Sequence, residues 1–289
     1  MAIENNWLTE ASLNKSVSQS FKIKNILHHS KSIYQDIKVI ETFPLGRVLL
    51  LDDMAMISEK DEFIYHEVMV HLPVLTQEQT KNVLVIGAGD GGIIRELVKY
   101  SQIESITLVE IDEEVTRICK EFFPNVTTGF NDKRVQVIFQ DGNTYIDELL
   151  KTSSTKYDLI ISDSTDPEGI AENLYTKTFY DKIQFLLNDN GIFICQTETP
   201  FFDEYDIHKI YKNLRSTFHS VKPVCAPILI YPGVYWTFAF CTKKEIENTI
   251  SQNKIHEYNL FKEDLKWHNE QWHMSAFVLP NFVKNKLNI

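Results

Sequence analysis

The sequence predicts an α/β protein with a small N-terminal antiparallel β-domain and a larger domain built on a mostly parallel sheet. Two observations predict this fold class. Up to about residue 58, short runs rich in Ile, Val, Leu and Phe are broken by turn residues. From residue 82 onwards strand-like and helical segments alternate, a pattern that forms right-handed βαβ units with helices on both faces of the sheet.

The N-terminal part has three strand-like segments followed by one helical segment. The strand-like segments are FKIKNILHHS, YQDIKVIETFP and GRVLLLDDMAMIS, separated at Pro44-Leu45-Gly46 and continued past a turn at Asp52-Asp53. The segment DEFIYHEVMVHLPVL changes to helical spacing, and Pro73 is expected to end that helix. We place the domains at residues 1–78, including this connecting helix, and 79–289.

The second domain contains five predicted strands that alternate with five predicted helices. The predicted strands are residues 82–89, 105–112, 135–142, 157–163 and 191–198, and the predicted helices are residues 91–100, 113–123, 144–151, 176–187 and 203–218. Two more strand-like segments follow, SVKPVCAPI and YWTFAFCTK. Residues 244–270 are charged and show no clear periodicity.

The composition excludes several classes of function. With 29 basic and 40 acidic side chains the net charge is −11, which repels nucleic acid and attracts cations such as polyamines. No apolar run approaches the roughly 18 residues that span a bilayer, and the first residues lack a signal peptide's apolar core. The four cysteines form no CxxC pair and the nine histidines no metal-ligand spacing. We expect a cytoplasmic protein without a structural metal.

A glycine-rich loop follows the first strand of the second domain. Gly87, Gly89 and Gly92 fit the pattern GxGxxG between a strand and a helix, where backbone N–H groups and a close approach favour a nucleotide. The next strand ends in Val-Glu-Ile-Asp, which places Glu110 18 residues after Gly92. A carboxylate at that position accepts the ribose hydroxyls of an adenosine, so the two features together predict a Rossmann-like nucleoside site.

The third strand favours an S-adenosyl ligand over NAD. It ends in Gln140-Asp141-Gly142, which places a carboxylate beside an adenine amino group and a small residue against the ring. The alternative is that Glu110 and Asp141 merely begin turns.

Asp90 is unusual within a loop of this type. A carboxylate 4 Å from a bound anion would be repelled by about 4 kcal/mol at an effective dielectric near 20. Asp90 therefore favours a ligand whose tail is an ammonium without a carboxylate, as in decarboxylated S-adenosylmethionine. The alternative is that Asp90 caps the following helix.

The fourth strand ends in the segment LIISDSTDPEG, which contains two aspartates three positions apart, Asp163 and Asp166. Two carboxylates at the mouth of a sheet need a cation, a proton or water to balance them. In isolation the pair also fits an Asx-turn around Asp166-Pro167. Beside Asp90 and the net negative charge, a bound amine is the better prediction.

The DSTDP segment and the glycine loop closely resemble the polyamine aminopropyltransferase family, above all the spermidine synthases. The resemblance extends over nearly the whole chain. Further matching segments are Tyr34-Gln35-Asp36, the DEFIYHE helix, Val109-Glu110-Ile111-Asp112, Asp141-Gly142, Tyr231-Pro232 and Ala276-Phe277-Val278-Leu279-Pro280.

The resemblance implies a seven-stranded Rossmann-like domain of the S-adenosylmethionine-methyltransferase type, assembled as a homodimer or homotetramer. It implies aminopropyl transfer from decarboxylated S-adenosylmethionine to putrescine, giving spermidine and methylthioadenosine, with no cofactor or metal. The implied nucleoside and donor residues are Gln35, Gly87, Gly89, Asp90, Glu110, Asp141 and Gly142. The implied amine residues are Tyr65, His66, Asp90, Asp163, Asp166 and Tyr231. Asp163 is the implied proton acceptor.

Three positions depart from the family pattern. Ile170 and Asp53 replace a proline and a glycine, and Val234 replaces a glycine near the far end of the amine. We expect Val234 to add bulk there and to favour a short acceptor. The alternatives left open are another acceptor (cadaverine, agmatine or spermidine), an S-adenosylmethionine-dependent N-methyltransferase, a non-catalytic polyamine or nucleoside sensor and, more distantly, an NAD-dependent dehydrogenase.

Overall fold

The computed structural model describes residues 2–4, 6–10, 17–167, 169–202 and 206–289. It confirms the predicted fold class, because an antiparallel sheet is followed by an α/β domain with a seven-stranded, mostly parallel sheet. No helix among these residues is both long enough and apolar enough to cross a bilayer.

The N-terminal sheet has six antiparallel strands in sequential order. They are β1 (Ala2–Glu4), β2 (Trp7–Glu10), β3 (Gln19–Lys31), β4 (Asp36–Thr42), β5 (Gly46–Leu51) and β6 (Met54–Ser58). The sequence patterns had indicated β3 to β6 but not the short β1 and β2. Asp52 and Asp53 form the two-residue loop between β5 and β6 with φ of 46° and 71°. Aspartate tolerates this left-handed conformation better than most side chains, and Asp53 also ion-pairs with Lys38.

The second sheet has the strand order β12-β13-β11-β10-β7-β8-β9. Its strands are β7 (Asn82–Gly87), β8 (Ser105–Glu110), β9 (Val135–Phe139), β10 (Tyr157–Asp163), β11 (Leu187–Glu198), β12 (Ser220–Pro227) and β13 (Tyr235–Thr242). Strands β7 to β11 run parallel to one another, and β13 pairs antiparallel with both β11 and β12. The chain runs outward from β7 to β9 and then returns to the other side of β7 as β10. This reversal opens a crevice at the carboxyl ends of the strands, where ligands bind in open α/β sheets.

Nine α-helices lie in the described part of the chain. They are α1 (Glu62–Thr76), α2 (Gly92–Leu97), α3 (Glu113–Phe122), α4 (Gly142–Thr152), α5 (Lys177–Leu186), α6 (Ile207–Thr217), α7 (Gln252–Tyr258), α8 (Glu270–Ser275) and α9 (Asn281–Leu287). The helix predicted at 203–218 corresponds to α6, and its first three predicted residues lie outside the described residues.

The prediction that Pro73 ends the connecting helix is wrong. Helix α1 continues to Thr76 with Pro73 inside it, and Gln77 N–H still donates to the Pro73 carbonyl. The Thr76 hydroxyl donates to the Leu72 carbonyl at 2.7 Å. Twelve of the helix's 15 residues are buried, so packing outweighs the local penalty of proline in its last turn.

The C-terminal segment that gave no clear periodicity packs against α1. The Glu67 carboxylate accepts the backbone N–H groups of Lys266, Trp267 and His268 at 2.7 to 2.9 Å. Ser251 N–H donates to the Leu75 carbonyl. These contacts join residues far apart in sequence, which explains why no local pattern indicated them, and they fix the helix that carries Tyr65 and His66.

Candidate active site

A cavity of about 350 Å³ lies at the carboxyl ends of β7 to β10, where the two domains meet. Met54 and Met56 of the N-terminal sheet form part of its wall. The structure brings every predicted site residue to this cavity. These residues are Gln35, Tyr65, His66, Gly87, Gly89, Asp90, Glu110, Asp141, Gly142, Asp163, Asp166 and Tyr231.

The glycines of the loop are required by close contacts. Gly87 has φ of +80°, and a Cβ there would lie 1.9 Å from the Asp163 carbonyl oxygen. The same carbonyl accepts the Ala88 N–H at 3.0 Å, so the loop is held directly against the end of β10. A Cβ on Gly89 would lie 2.8 Å from Glu110 Oε2. Gly87 therefore allows the loop to approach the backbone at the end of β10, and Gly89 leaves room for the Glu110 carboxylate.

One end of the cavity, which the sequence predicts to hold a nucleoside, is built around Glu110. Its Oε1 accepts the Asp112 N–H at 2.8 Å, while Oε2 lies beside Gly89. Burial raises the pKa of Glu110 to about 7, opposed by the Asp112 N–H and helped by nearby carboxylates. Gln35 reaches in from the N-terminal domain, and its amide donates to Asp112 Oδ2 at 2.9 Å.

Asp141 stands at the start of α4. Its Oδ1 accepts the Thr144 N–H at 2.8 Å, so it caps the helix. A Cβ on Gly142 would lie 2.6 Å from the Ile86 side chain, which keeps this wall flat enough for an aromatic ring. Glu110 and Asp141 thus each order a turn with one oxygen and face the same cavity.

Asp163 lies at the end of β10 and is hydrogen-bonded to Tyr65. The Tyr65 hydroxyl donates to Asp163 Oδ1 at 2.6 Å. Burial and the charge of Asp90 raise the pKa of Asp163 to about 7, although the Tyr65 hydroxyl and His66 act in the opposite direction. A carboxyl group with that pKa both accepts and releases a proton near neutral pH, as a general base must.

Two tyrosines form an aromatic wall beside Asp163. The ring of Tyr231 lies edge-on to that of Tyr65, with centroids 6.1 Å apart. The Tyr231 hydroxyl donates to the Met56 carbonyl at 2.9 Å. Because each hydroxyl uses its proton on a protein acceptor, its oxygen lone pairs remain able to accept an N–H from an amine.

Asp90 is held by the loop and by His66. Its Oδ1 accepts the Gly92 N–H at 2.8 Å, but the N-cap residue of α2 is Gly91, so Asp90 holds the start of the helix without being its cap. His66 Nε2 lies 3.2 Å from the same oxygen, close enough for ion pairing although the angle is poor for a hydrogen bond. Burial would lower the pKa of His66, but Asp90 and Glu62 together raise it to about 10.

One atom from each of His66, Asp90 and Asp163 lies within 4.8 Å of the others, as a metal site requires. An imidazole that carries both protons has no lone pair for a metal. In that protonation state His66 is no metal ligand, and the two carboxylates beside it attract cations.

Sequence reasoning missed Glu10, which enters the cavity from β2. Its side chain is 5% exposed, and its Oε2 has no hydrogen-bond partner among the described residues. Burial raises the pKa of Glu10 to about 8, opposed by a backbone hydrogen bond and helped slightly by Asp166. Neither a motif nor a predicted strand marked this position.

The cavity is also lined by Gln196 and Trp236, which no sequence motif marked. The Trp236 indole N–H donates to Gln196 Oε1 at 3.2 Å, and the Gln196 amide donates to the Ser164 carbonyl. Gln196 therefore spans β11, β13 and the loop that follows β10.

The lining of the cavity is strongly acidic. Seven carboxylate residues contribute to it: Glu10, Asp90, Glu110, Asp141, Asp163, Asp166 and Glu198. Among the described residues that line it, none is lysine or arginine, and His66 is the one histidine. A ligand with one or more positive charges is the match for such a cavity.

The expectation that Val234 narrows the amine channel is wrong. Val234 is 40% exposed and lies outside the cavity lining, because its turn directs the side chain away. Its φ of 62° is rare for a β-branched residue, which explains why glycine suits this position. Ile170, in contrast, lines the cavity and is 52% exposed.

Comparison with protein families agrees with this geometry. The family model for the spermine/spermidine synthase domain matches residues 62–253, and that for the spermidine synthase tetramerisation domain matches residues 6–59. The chain belongs to the spermine/spermidine synthase family. A polyamine aminopropyltransferase from Lachnoclostridium phytofermentans is 40% identical over 283 residues, covering 97% of this chain and 98% of its own. One from Clostridium tetani is 38% identical over 280 residues, covering 96% of each chain.

Solved structures show the same relationship. The spermidine synthase from Thermotoga maritima superposes with a TM-score of 0.87 at 32% identity, covering 98% of this chain and 94% of its own. A spermidine synthase in complex with the transition-state analogue AdoDATO gives a TM-score of 0.89 at 31% identity, covering 99% and 96%. The protein is therefore an enzyme of the polyamine aminopropyltransferase class.

Proposed function

We propose that this enzyme transfers the aminopropyl group of decarboxylated S-adenosylmethionine to putrescine, giving spermidine and methylthioadenosine. The observation that carries the proposal is the cavity itself. A nucleoside end built around Glu110 and Asp141 continues into an end lined by acidic residues, without lysine or arginine among the described residues.

The donor fits the first part of this cavity. Glu110 and Gln35 would accept and donate hydrogen bonds at the ribose, and Asp141 with Gly142 would face the adenine. Asp90 would then bind the ammonium of the aminopropyl arm and repel the carboxylate of S-adenosylmethionine. A relative with the same fold was solved with a transition-state analogue bound, which supports a substrate site in this fold.

The acceptor must present a neutral nitrogen, although a primary amine has a pKa near 10.4. Exposing the lone pair at pH 7 therefore costs about 4.6 kcal/mol. Asp163 would accept the proton as the new C–N bond forms, while Tyr65 and Tyr231 orient the nitrogen through their oxygen atoms. The C–S bond breaks in line, its electron pair goes to the sulfonium, and methylthioadenosine leaves as a neutral thioether.

The far end of a four-carbon diamine would lie near Asp166 and Glu10. Asp166 raises the pKa of Glu10, so the two carboxyl groups share one neighbourhood. A bound ammonium would reverse that effect by favouring the ionised form of Glu10. With Val234 outside the cavity, the preference for a short acceptor depends on where these two carboxylates stand.

Several broader features belong to the same proposal. The reaction would need no cofactor or metal, since the donor is a co-substrate and the base is a carboxylate. The match of residues 6–59 to a tetramerisation domain supports a homodimer or homotetramer. We propose a cytoplasmic enzyme that binds neither nucleic acid nor membranes, divided into domains at residues 1–78 and 79–289.

The test is a product assay with two donors. Purified enzyme is incubated with putrescine and either decarboxylated S-adenosylmethionine or S-adenosylmethionine, and products are identified by mass spectrometry. Spermidine should form with the first donor alone. Methylated putrescine formed with the second donor would instead identify an N-methyltransferase, and binding without turnover a sensor.

A further inference from the structure

Four ionisable side chains form a row that ends at the cavity, and basic and acidic groups alternate along it. Arg95 binds both oxygens of Glu62 at 2.8 Å, through Nη1 and Nη2. Glu62 Oε2 lies 2.6 Å from His66 Nδ1, and His66 Nε2 lies 3.2 Å from Asp90 Oδ1. The row connects α2 through α1 to the glycine loop.

This row is fixed by packing as well as by charge. The side chains of His66 and Glu62 are 1% and 8% exposed. The His66 ring occupies the space above Gly92, where a Cβ would lie 2.1 to 2.4 Å from three ring atoms. With Glu62 on one nitrogen and Asp90 on the other, both ring nitrogens already face protein carboxylates.

We infer that His66 is a positioning residue, held by Glu62 and Arg95 as a permanent cation so that Asp90 and Asp163 both stay ionised in an otherwise acidic cavity. This inference deepens the proposed function and rests on it. In the family resemblance His66 is an amine residue, whereas here it acts on the amine through the two aspartates.

Ionisable side chains from four elements surround His66. Glu62 and Tyr65 lie on its own helix, Asp90 on the glycine loop, Arg95 on α2 and Asp163 on β10. The nearest atoms of His66, Asp90 and Asp163 lie within 4.8 Å of one another. Burial and Asp90 raise the pKa of Asp163, and His66 lowers it, so the cation offsets part of the repulsion between the two carboxylates.

Helix α1 contains a matched control for this row. His71 Nε2 lies 2.8 Å from Glu96, a buried carboxylate that also pairs with Arg95. His71 is completely buried, as His66 nearly is, but neither His71 nor Glu96 lines the cavity. Replacing His71 therefore removes a similar buried pair from the same helix without changing the charge beside Asp163.

The experiment compares His66→Gln and His71→Gln in the pH dependence of kcat/KM for putrescine. Glutamine keeps a hydrogen-bonding side chain but has no charge. In His66→Gln the acid limb, the pH range in which activity falls on acidification, should therefore move up by at least about one pH unit. Activity should fall about tenfold near pH 6 and recover nearly to the wild-type value near pH 9, where both carboxylates are ionised regardless. His71→Gln should leave the limb unchanged.

A second measurement uses the unaltered enzyme and so does not depend on whether the variant folds. The ring nitrogen shifts of His66 by NMR should show an imidazolium at about pH 8, where an ordinary histidine is neutral. A neutral ring at that pH, an unmoved limb in His66→Gln, a loss that persists near pH 9, or an equal shift in His71→Gln would overturn the inference. Wild-type enzyme that forms no spermidine would overturn the proposed function, and the inference with it.

Discussion

The hydrogen bond from Tyr65 to Asp163 makes a quantitative prediction about pH dependence. In Tyr65→Phe the donor is lost but the ring remains, so its edge-on contact with Phe238 at 5.1 Å should preserve the fold. The 2.6 Å bond stabilises the ionised carboxylate, and a hydrogen bond to a charged group contributes about 1.5–3 kcal/mol. At 1.36 kcal/mol per unit, its loss should raise the pKa of Asp163 by about 1–2 units.

The sign of the effect follows from the proposed role of Asp163 as a base. The carboxylate is the active form, so activity is lost as pH falls through its pKa, which is about 7 in the unaltered enzyme. In Tyr65→Phe the same loss should begin at about pH 8 to 9. The free amine also titrates, but it does so identically in every variant and therefore cancels in the ratio of kcat/KM values.

The assay is the initial rate of methylthioadenosine release at low putrescine, measured from about pH 5.5 to about pH 9.5. Tyr231→Phe is the control, because that hydroxyl donates to the Met56 carbonyl and makes no hydrogen bond to Asp163. Its acid limb should stay in place even if its KM changes. A folded Tyr65→Phe with an unmoved limb, or an equal shift in Tyr231→Phe, would refute the assignment of Asp163.

Three other substitutions have expected outcomes. Asp163→Asn should lower kcat by at least about 100-fold while methylthioadenosine binding, measured by calorimetry, stays nearly unchanged. Asp90→Asn should weaken decarboxylated S-adenosylmethionine and narrow its advantage over S-adenosylmethionine in calorimetric titrations, since one change removes an attraction and a repulsion. Val234→Gly should relieve a left-handed backbone conformation that costs about 1–2 kcal/mol, raising Tm by a few degrees without altering the putrescine-to-cadaverine ratio.

Each of these expectations has a definite contrary result. Near-normal turnover in folded Asp163→Asn would remove the proposed base. An unchanged affinity ratio in Asp90→Asn would leave this residue with a purely structural role at the start of α2. An altered acceptor ratio in Val234→Gly would mean that Val234 contacts the amine, and Val234→Ala, which keeps the strained φ, should show little of the gain in Tm.

Much of the site could be predicted because parallel strands bring their carboxyl ends together. Four strands of the same sheet end at, or just before, Gly87, Glu110, Asp141 and Asp163. Recognising the strands was therefore enough to place these residues in one crevice. The mostly parallel sheet could be predicted for a similar reason, since strand and helix periods alternate regularly, whereas its seven strands were implied by the family resemblance.

Other features depend on contacts that no local pattern encodes. Glu10 reaches the cavity because the N-terminal sheet packs over it, and the short strand that carries it was not recognised. Helix α1 passes Pro73 because its surroundings are buried. The direction of Val234 depends on a turn with two consecutive positive φ values, which the residue type alone argued against.

The role proposed for His66 also depends on contacts that no local pattern encodes. A histidine within a DEFIYHE segment indicates a site residue, but the partners on its two nitrogens come from another turn of the helix and from a separate loop. Charge balance inside a cavity is a property of the folded arrangement, so its consequences for pH dependence follow only from the distances.

The most direct test of the central claim is a competition experiment read by mass spectrometry. The enzyme is given decarboxylated S-adenosylmethionine whose aminopropyl group carries an isotopic label, with equal concentrations of putrescine, cadaverine, agmatine and spermidine, and all labelled products are quantified at low conversion. Spermidine should be the main product formed, with one methylthioadenosine released per aminopropyl group transferred and a smaller amount of aminopropylcadaverine. Aminopropylagmatine or spermine equal to or above spermidine would contradict the assigned acceptor, and methylthioadenosine without any aminopropylated amine would contradict the reaction itself.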